Sequence, residues 1–174
     1  MASSRSDAQG IDQIWIFDLG RGLASRLTLD AADNYAPVWS PDGSELFFTS
    51  NREGVYDIFR QAINGAGGAR RVAQSSSTTY PLDISPDGRF LLYWSGDPVT
   101  QTDVWLLSLS GGEKPAPLLQ TPFDETGARV SPDGRFMAYS SNESGRYEIY
   151  VQAFPTSSGK AGVDDGRPAT GVAP

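Results

Sequence analysis

The sequence predicts an all-β fold, a partial β-propeller of about three and a half four-stranded antiparallel blades. Three observations predict it. Ser-Pro-Asp-Gly occurs at Ser40, Pro41, Asp42 and Gly43, again at Ser85, Pro86, Asp87 and Gly88, and again at Ser131, Pro132, Asp133 and Gly134, at intervals of 45 and 46 residues. A propeller blade takes ~40–50 residues. Each copy has an extended stretch before it and an apolar, aromatic-rich run after it. The 174 residues include 19 Gly and 12 Pro, with 11% aromatics, a composition of many turns between half-buried pleated surfaces.

Taken in order, residues 1–11 are polar and predict a disordered N-terminal segment. Residues 12–30 predict half a blade: Gln13-Ile14-Trp15-Ile16-Phe17-Asp18 aligns with a third strand and Ser25-Arg26-Leu27-Thr28 with a fourth. Residues 35–74 and 80–120 predict two full blades, with second strands at Leu46–Ser50 and Leu91–Ser95. Residues 126–154 predict an incomplete blade, its second strand at Met137–Ser141 and its third at Tyr147–Phe154. Residues 155–174, rich in Gly, Pro, Ser and Asp, predict a flexible tail. The first two strands missing from the half blade have no counterpart in that tail. The expectation is an open arc or a fragment, whose terminal blades expose apolar faces and invite self-association.

The repeated motif reads as a turn. Proline presets φ, Asp bonds amides across the turn, and Gly tolerates φ > 0. Its serines are expected to be turn residues rather than nucleophiles. Each third strand carries an acid at the same phase: Asp57, Asp103 and Glu148. In-phase repetition argues for a structural role, bonding backbone amides or an arginine, with Arg52 and Arg146 as candidates. Trp15, Trp39, Trp94, Trp105, Phe59 and Tyr150 are expected to pack between blades.

The order hydrophobic, Ser-Pro-Asp-Gly, aromatic strand, polar Gly turn, then Asp-Ile-aromatic resembles the TolB-type propeller repeat over residues ~12–154. More narrowly, Thr102-Asp103-Val104-Trp105, Leu119-Gln120-Thr121-Pro122-Phe123 and Glu143-Ser144-Gly145-Arg146-Tyr147-Glu148 resemble the C-terminal propeller of some bacterial serine/threonine protein kinases. That resemblance implies a sensor or interaction domain, and it allows a periplasmic or extracytoplasmic setting. Prolyl-oligopeptidase-type peptidases carry related repeats on a propeller that gates a hydrolase domain. Kinase loop signatures and a Gly-x-Ser-x-Gly elbow are absent from this sequence. The histidine-containing tetrad of WD-type repeats is absent as well.

The chain has no His and no Cys, which excludes Ser-His-Asp and Cys-His catalysis and His- or thiolate-ligated metals. No cofactor is expected. Carboxylate pairs remain for acid–base glycoside chemistry at Asp124-Glu125, Asp164-Asp165 and Asp30/Asp33, set against their reading as solvated loop acids. Asp164-Asp165-Gly166 lacks regular calcium-loop spacing. Formal net charge is −7, and Arg70-Arg71 is too short a basic patch to offset it, so nucleic acid is not an expected partner. Met1–Gln13 lacks the apolar core of a secretory signal, and no apolar run approaches a membrane span. The expected function is non-catalytic recognition of a protein or small ligand through the loops of one rim. The alternatives are the propeller part of a kinase or peptidase and, last, a carboxylate-dependent glycoside hydrolase.

Overall fold

The computed structural model describes residues 1–111 and 114–155. Within them the chain forms fourteen strands and no helix. They make four antiparallel sheets in chain order. The first contains β1 (Ala2–Ser6), β2 (Asp12–Asp18) and β3 (Leu23–Arg26). The second runs β4 (Asn34–Trp39), β5 (Glu45–Ser50), β6 (Asp57–Ala62) and β7 (Arg70–Arg71). The third runs β8 (Thr79–Ile84), β9 (Phe90–Asp97), β10 (Gln101–Ser108) and β11 (Ala116–Leu119). The fourth contains β12 (Glu125–Val130), β13 (Phe136–Ser141) and β14 (Glu148–Ala153). This is the all-β, partial propeller that the repeat predicts.

Apolar residues buried on both faces of the middle strands make the blades stack. In β5, Leu46, Phe47, Phe48, Thr49 and Ser50 are all buried, as a strand flanked by two neighbouring sheets requires. Ile14, Leu46, Phe48 and Phe59 join the first sheet to the second; Phe47, Ile58, Leu91 and Tyr93 join the second to the third; Leu82, Val104, Met137 and Tyr139 join the third to the fourth. None of these clusters spans the first and fourth sheets. Each buried Leu or Phe contributes about 1.5–3 kcal/mol.

Ser-Pro-Asp-Gly closes the hairpin between the first two strands of a blade. Ser40 Oγ donates to Asp42 Oδ1 at 2.6 Å and accepts from Glu45 N at 2.9 Å. Ser85 and Ser131 repeat the arrangement with Asp87 and Phe90 N, and with Asp133 and Phe136 N. Gly43, Gly88 and Gly134 hold φ of 70°, 72° and 72°, where a side chain is strained. Each of β4, β8 and β12 also carries one extra residue opposite its partner. Such a bulge bends a strand and re-aims its side chains.

One expectation is corrected. Residues 1–11, expected to be disordered, contain β1, which pairs with β2 from Ala2↔Ile16 to Ser6↔Asp12. The first blade therefore has three strands rather than two. Its strand Ala-Ser-Ser-Arg-Ser carries no apolar alternation and gave no periodic signal. Backbone pairing to β2 holds it, with the Arg5 guanidinium 5.3 Å from the Trp15 ring centroid. Apart from Pro155, the expected flexible tail 155–174, including Asp164, Asp165 and Gly166, lies outside the described residues.

Candidate functional site

Every first strand of a blade runs from one rim of the arc to a Ser-Pro-Asp-Gly turn at the other. The rim at its start is built by the linkers between blades, and the repeat places one polar row there. Asn34, Thr79 and Glu125 begin β4, β8 and β12 and register with Ser50, Ser95 and Ser141. Those serines register in turn with Asp57, Asp103 and Glu148. Gln13 stands before Ile14 in β2 as Asp57 stands before Ile58 in β6.

The row is wired differently at each blade junction. Between the first and second blades, Gln13 Nε2 donates to the carbonyls of Asp30 and Ala32 at 3.0 Å each, and Thr28 Oγ1 donates to Gln13 Oε1 at 2.6 Å. Arg52 Nη2 donates to Asn34 Oδ1 at 2.8 Å and pairs with Asp30 at 3.0 Å. Between the second and third, Asp57 accepts from Arg71 Nη1 at 3.2 Å and from Ser75 N at 3.1 Å. The arginine expected there, Arg52, serves Asn34 and Asp30 instead, because the β5–β6 turn aims it at the preceding linker. Between the third and fourth, Asp103 accepts from Thr100 Oγ1 at 2.8 Å and Gln120 Nε2 at 3.1 Å. Thr121 Oγ1 donates to Glu125 Oε1. Asp103 Oδ1 and Glu125 Oε2 are buried with no hydrogen-bond partner among the described residues. Burial, then the charges of Asp103 and Glu143, push the Glu125 carboxyl up, against the Thr121 bond. Glu148 pairs with Arg146 at 2.7 Å on the surface.

The same rim carries an aromatic ladder. Tyr35 and Tyr80 are the second residues of β4 and β8, Trp94 registers with Tyr80, and Tyr56 precedes Asp57. Ring centroids lie 6.0 Å apart for Tyr35–Tyr56, 6.3 Å for Tyr56–Tyr80 and 4.7 Å for Tyr80–Trp94. All four side chains are half-buried. Two carboxylates converge at its first end. Asp33 Oδ1 accepts from Asp12 N at 3.1 Å, and its Oδ2 accepts from the Tyr56 hydroxyl at 3.4 Å. Hydrogen bonding to Asp12, then burial and the Asp33 charge, push the Tyr35 phenol well above its ordinary value. Burial and Asp33 push Tyr56 up as well. An open cleft of about 410 Å³ lined by Asp30, Ala31, Ala32, Asn51 and Arg52 lies on this rim, and Asn51 Nδ2 donates to the Tyr56 hydroxyl at 3.4 Å.

The opposite rim holds a groove of about 540 Å³ between two Ser-Pro-Asp-Gly turns, lined by Asp42, Glu45, Arg60 and Asp87 among others. Serine and backbone donors hold its Asp42 down to about 2 and lower its Asp87, and the same donors lower Asp133 at the third turn.

The paired acids considered for hydrolysis have separate duties. Asp30 pairs with Arg52 while Asp33 caps Asp12 N. Asp124 accepts from the Tyr147 hydroxyl at 3.0 Å, whereas Glu125 is buried beside Thr121. Trp94 packs against the core cluster between the third and fourth blades, as expected, and also closes the ladder. The ladder itself was missed in the sequence, although Tyr35 and Tyr80 recur at the blade interval directly after Asn34 and Thr79.

The TolB beta propeller domain family matches residues 1–152. The structure of a putative TolB from Agrobacterium tumefaciens is similar at a TM-score of 0.75 and 21% identity, covering 88% of this chain and 57% of that one. TolB from Acinetobacter baumannii is similar at a TM-score of 0.74 and 25% identity, covering 88% of this chain and 37% of that one. Tricorn protease homolog 1 of Streptomyces coelicolor is 27% identical over 118 residues, 67% of this chain and 11% of that one. The chain thus spans little more than half of the shortest of these relatives, and a small part of the longest.

Proposed function

We propose, for a chain that belongs to the TolB β-propeller family, that it is a non-catalytic recognition module working through the aromatic rim at the starts of the inner strands. One observation carries this reading: a ladder of four half-buried aromatic rings from two blades, Tyr56, Tyr80 and Trp94 stacked and Tyr35 tilted against Tyr56, lines one rim beside an open cleft. Concave surfaces with aromatic walls and a few placed polar groups are the usual form of a binding site. Aromatics of this kind dominate binding energy at interfaces.

The test is selection of binders from a random peptide library displayed against the full chain. Enriched peptides are expected to lose binding to Tyr80→Ala and Trp94→Ala and to keep it with Asp87→Asn on the opposite rim. Peptides indifferent to both rim variants would overturn the assignment.

A second reading places this propeller beside a peptidase domain in a longer polypeptide. The likeness to the Streptomyces tricorn protease homolog favours it. A kinase parent rests on the sequence stretches around Thr102, Leu119 and Glu143 alone. Either parent fits an extracytoplasmic setting for the propeller. The flanking coding sequence decides: a hydrolase domain supports the peptidase parent, a kinase domain the other, and neither leaves a stand-alone module.

A further inference from the structure

Asp12 and Asp33 hold two negative charges with no cationic partner among the described residues. Asp12 Oδ1 accepts from Ser6 Oγ at 2.7 Å, and Asp33 accepts from Asp12 N and the Tyr56 hydroxyl. These neutral donors fix both carboxylates in place without removing their charge. Among the described residues neither forms a salt bridge. The nearby Arg52 is committed to Asp30 and Asn34. Both acids lie against Tyr35, and Asp33 also bonds the Tyr56 hydroxyl, so they face the first two rings of the ladder.

Resting on the recognition reading, we propose that this end of the rim receives a lysine or arginine side chain from an extended basic segment, which continues along Tyr80 and Trp94. Carboxylates beside aromatic rings are a cation site: the ring quadrupole and the anionic charge attract the same group. Arginine fits best, because its planar fork bonds carboxylates while its face or edge lies on a ring. The net charge of −7 steers a basic partner towards the chain. The centroid spacings make a stripe on the order of 15 Å, the reach of about five extended residues.

Other occupants fit less well. A hard metal ion takes six or more oxygens, and the described residues contain no group of three or more candidate ligands. A sugar would need free ring faces, yet Tyr80 and Trp94 cover one another at 4.7 Å and 19°. Phosphate groups are repelled by both acids.

The experiment titrates the full chain with a glycine-spaced arginine peptide, a glutamate peptide of equal length and a neutral proline-rich peptide, following tryptophan fluorescence and amide resonances. The arginine peptide is expected to saturate, to shift the resonances of Asp12, Asp33 and Tyr56, and to weaken with added salt. Asp33→Asn and Asp12→Asn are each expected to weaken it about tenfold, the loss of one charged hydrogen bond. Asp87→Asn on the far rim is expected to leave it unchanged. Equal losses from Asp87→Asn, or shifts in native protein away from this rim, would overturn the site as mere attraction to an acidic chain. Proline-rich binding in place of arginine, abolished by Tyr56→Ala, overturns the cationic ligand and keeps the recognition rim. Binding of none of the three, with library-selected peptides still lost on Tyr80→Ala, overturns this inference alone. If those selected peptides are also insensitive to the rim, both readings fall.

Discussion

Arg52 reaches out of the β5–β6 turn to donate to Asn34 Oδ1 at 2.8 Å, while its guanidinium lies 4.6 Å from the Phe59 ring centroid. One side chain thus joins the start of an inner strand, the linker acid Asp30 and the apolar interior of the second blade. Burial lowers its pKa and the Asp30 charge acts against that. The guanidinium stays charged in any case.

Arg52→Ala is expected to cost about 2 kcal/mol, from the lost stacking and from Asn34 and Asp30 left without their partner. Arg52→Lys should recover less than half, since an ammonium cannot serve Asn34 and Asp30 through a planar fork. Urea denaturation of the three proteins measures this. Equal stability of the lysine variant would show that charge alone suffices.

The Ser-Pro-Asp-Gly turns give a second prediction. Ser85 is buried, donates to Asp87 Oδ1 at 2.5 Å and accepts from Phe90 N at 3.0 Å. Ser85→Ala strips a partner from that amide and should cost about 1 kcal/mol. In Ser40→Ala the loss acts on titration. Asp42, held at about 2 chiefly by Ser40, should rise towards its ordinary 3.8. A depressed folded value contributes stability above the unfolded pKa that is lost as pH falls through the folded one. The variant should therefore lose acid tolerance at a higher pH than the native chain, and NMR titration of Asp42 reads it directly. An unmoved Asp42 would contradict the assignment.

The legibility of this fold follows from its repeat. Phe47, Phe48, Leu91, Leu92 and Met137 are consecutive or phased apolar residues that must be buried on two faces, and the proline and glycine turns fix their phase. Polar pairings escaped because they join strands and turns far apart in the sequence. The Arg71–Asp57 pair spans fourteen residues and the Asn34–Arg52 bond eighteen, distances at which sequence gives no partner. β1 escaped because its strand is held by backbone bonds, which leave no side-chain pattern. The ladder combines the in-phase Tyr35 and Tyr80 with Tyr56, which precedes β6, and Trp94 of β9, so no one position repeats it in every blade.

The third blade junction yields a pH prediction. Glu125 is 1% exposed, and its Oε2 has no partner among the described residues. Burial raises its pKa, and Asp103 and Glu143 add to the shift. A carboxyl with a raised folded value binds its proton more tightly when folded. Its contribution is full below the unfolded value near 4.5 and is lost as pH rises through the folded one. Glu125→Gln is neutral throughout. The melting temperature of the variant minus that of the native chain should thus grow as pH rises above 4.5 and level off once pH passes the raised folded value. A constant or shrinking difference would mean that Glu125 ionises without cost.

The last strand gives the final prediction. Among the described residues β14 lies at the edge of its sheet, with Ile149 72% and Val151 62% exposed on one face and Tyr147 beside them. The residue of the second blade that corresponds to Ile149, Ile58, is buried between sheets. An unpaired edge with alternating exposed β-branched residues is a template for pairing with another chain. The purified chain should therefore associate with rising concentration, through this edge. Lysine at both positions, Ile149→Lys with Val151→Lys, should restore a single species in light scattering while leaving the circular dichroism spectrum unchanged. The same association in the double variant would place the contact elsewhere on the arc.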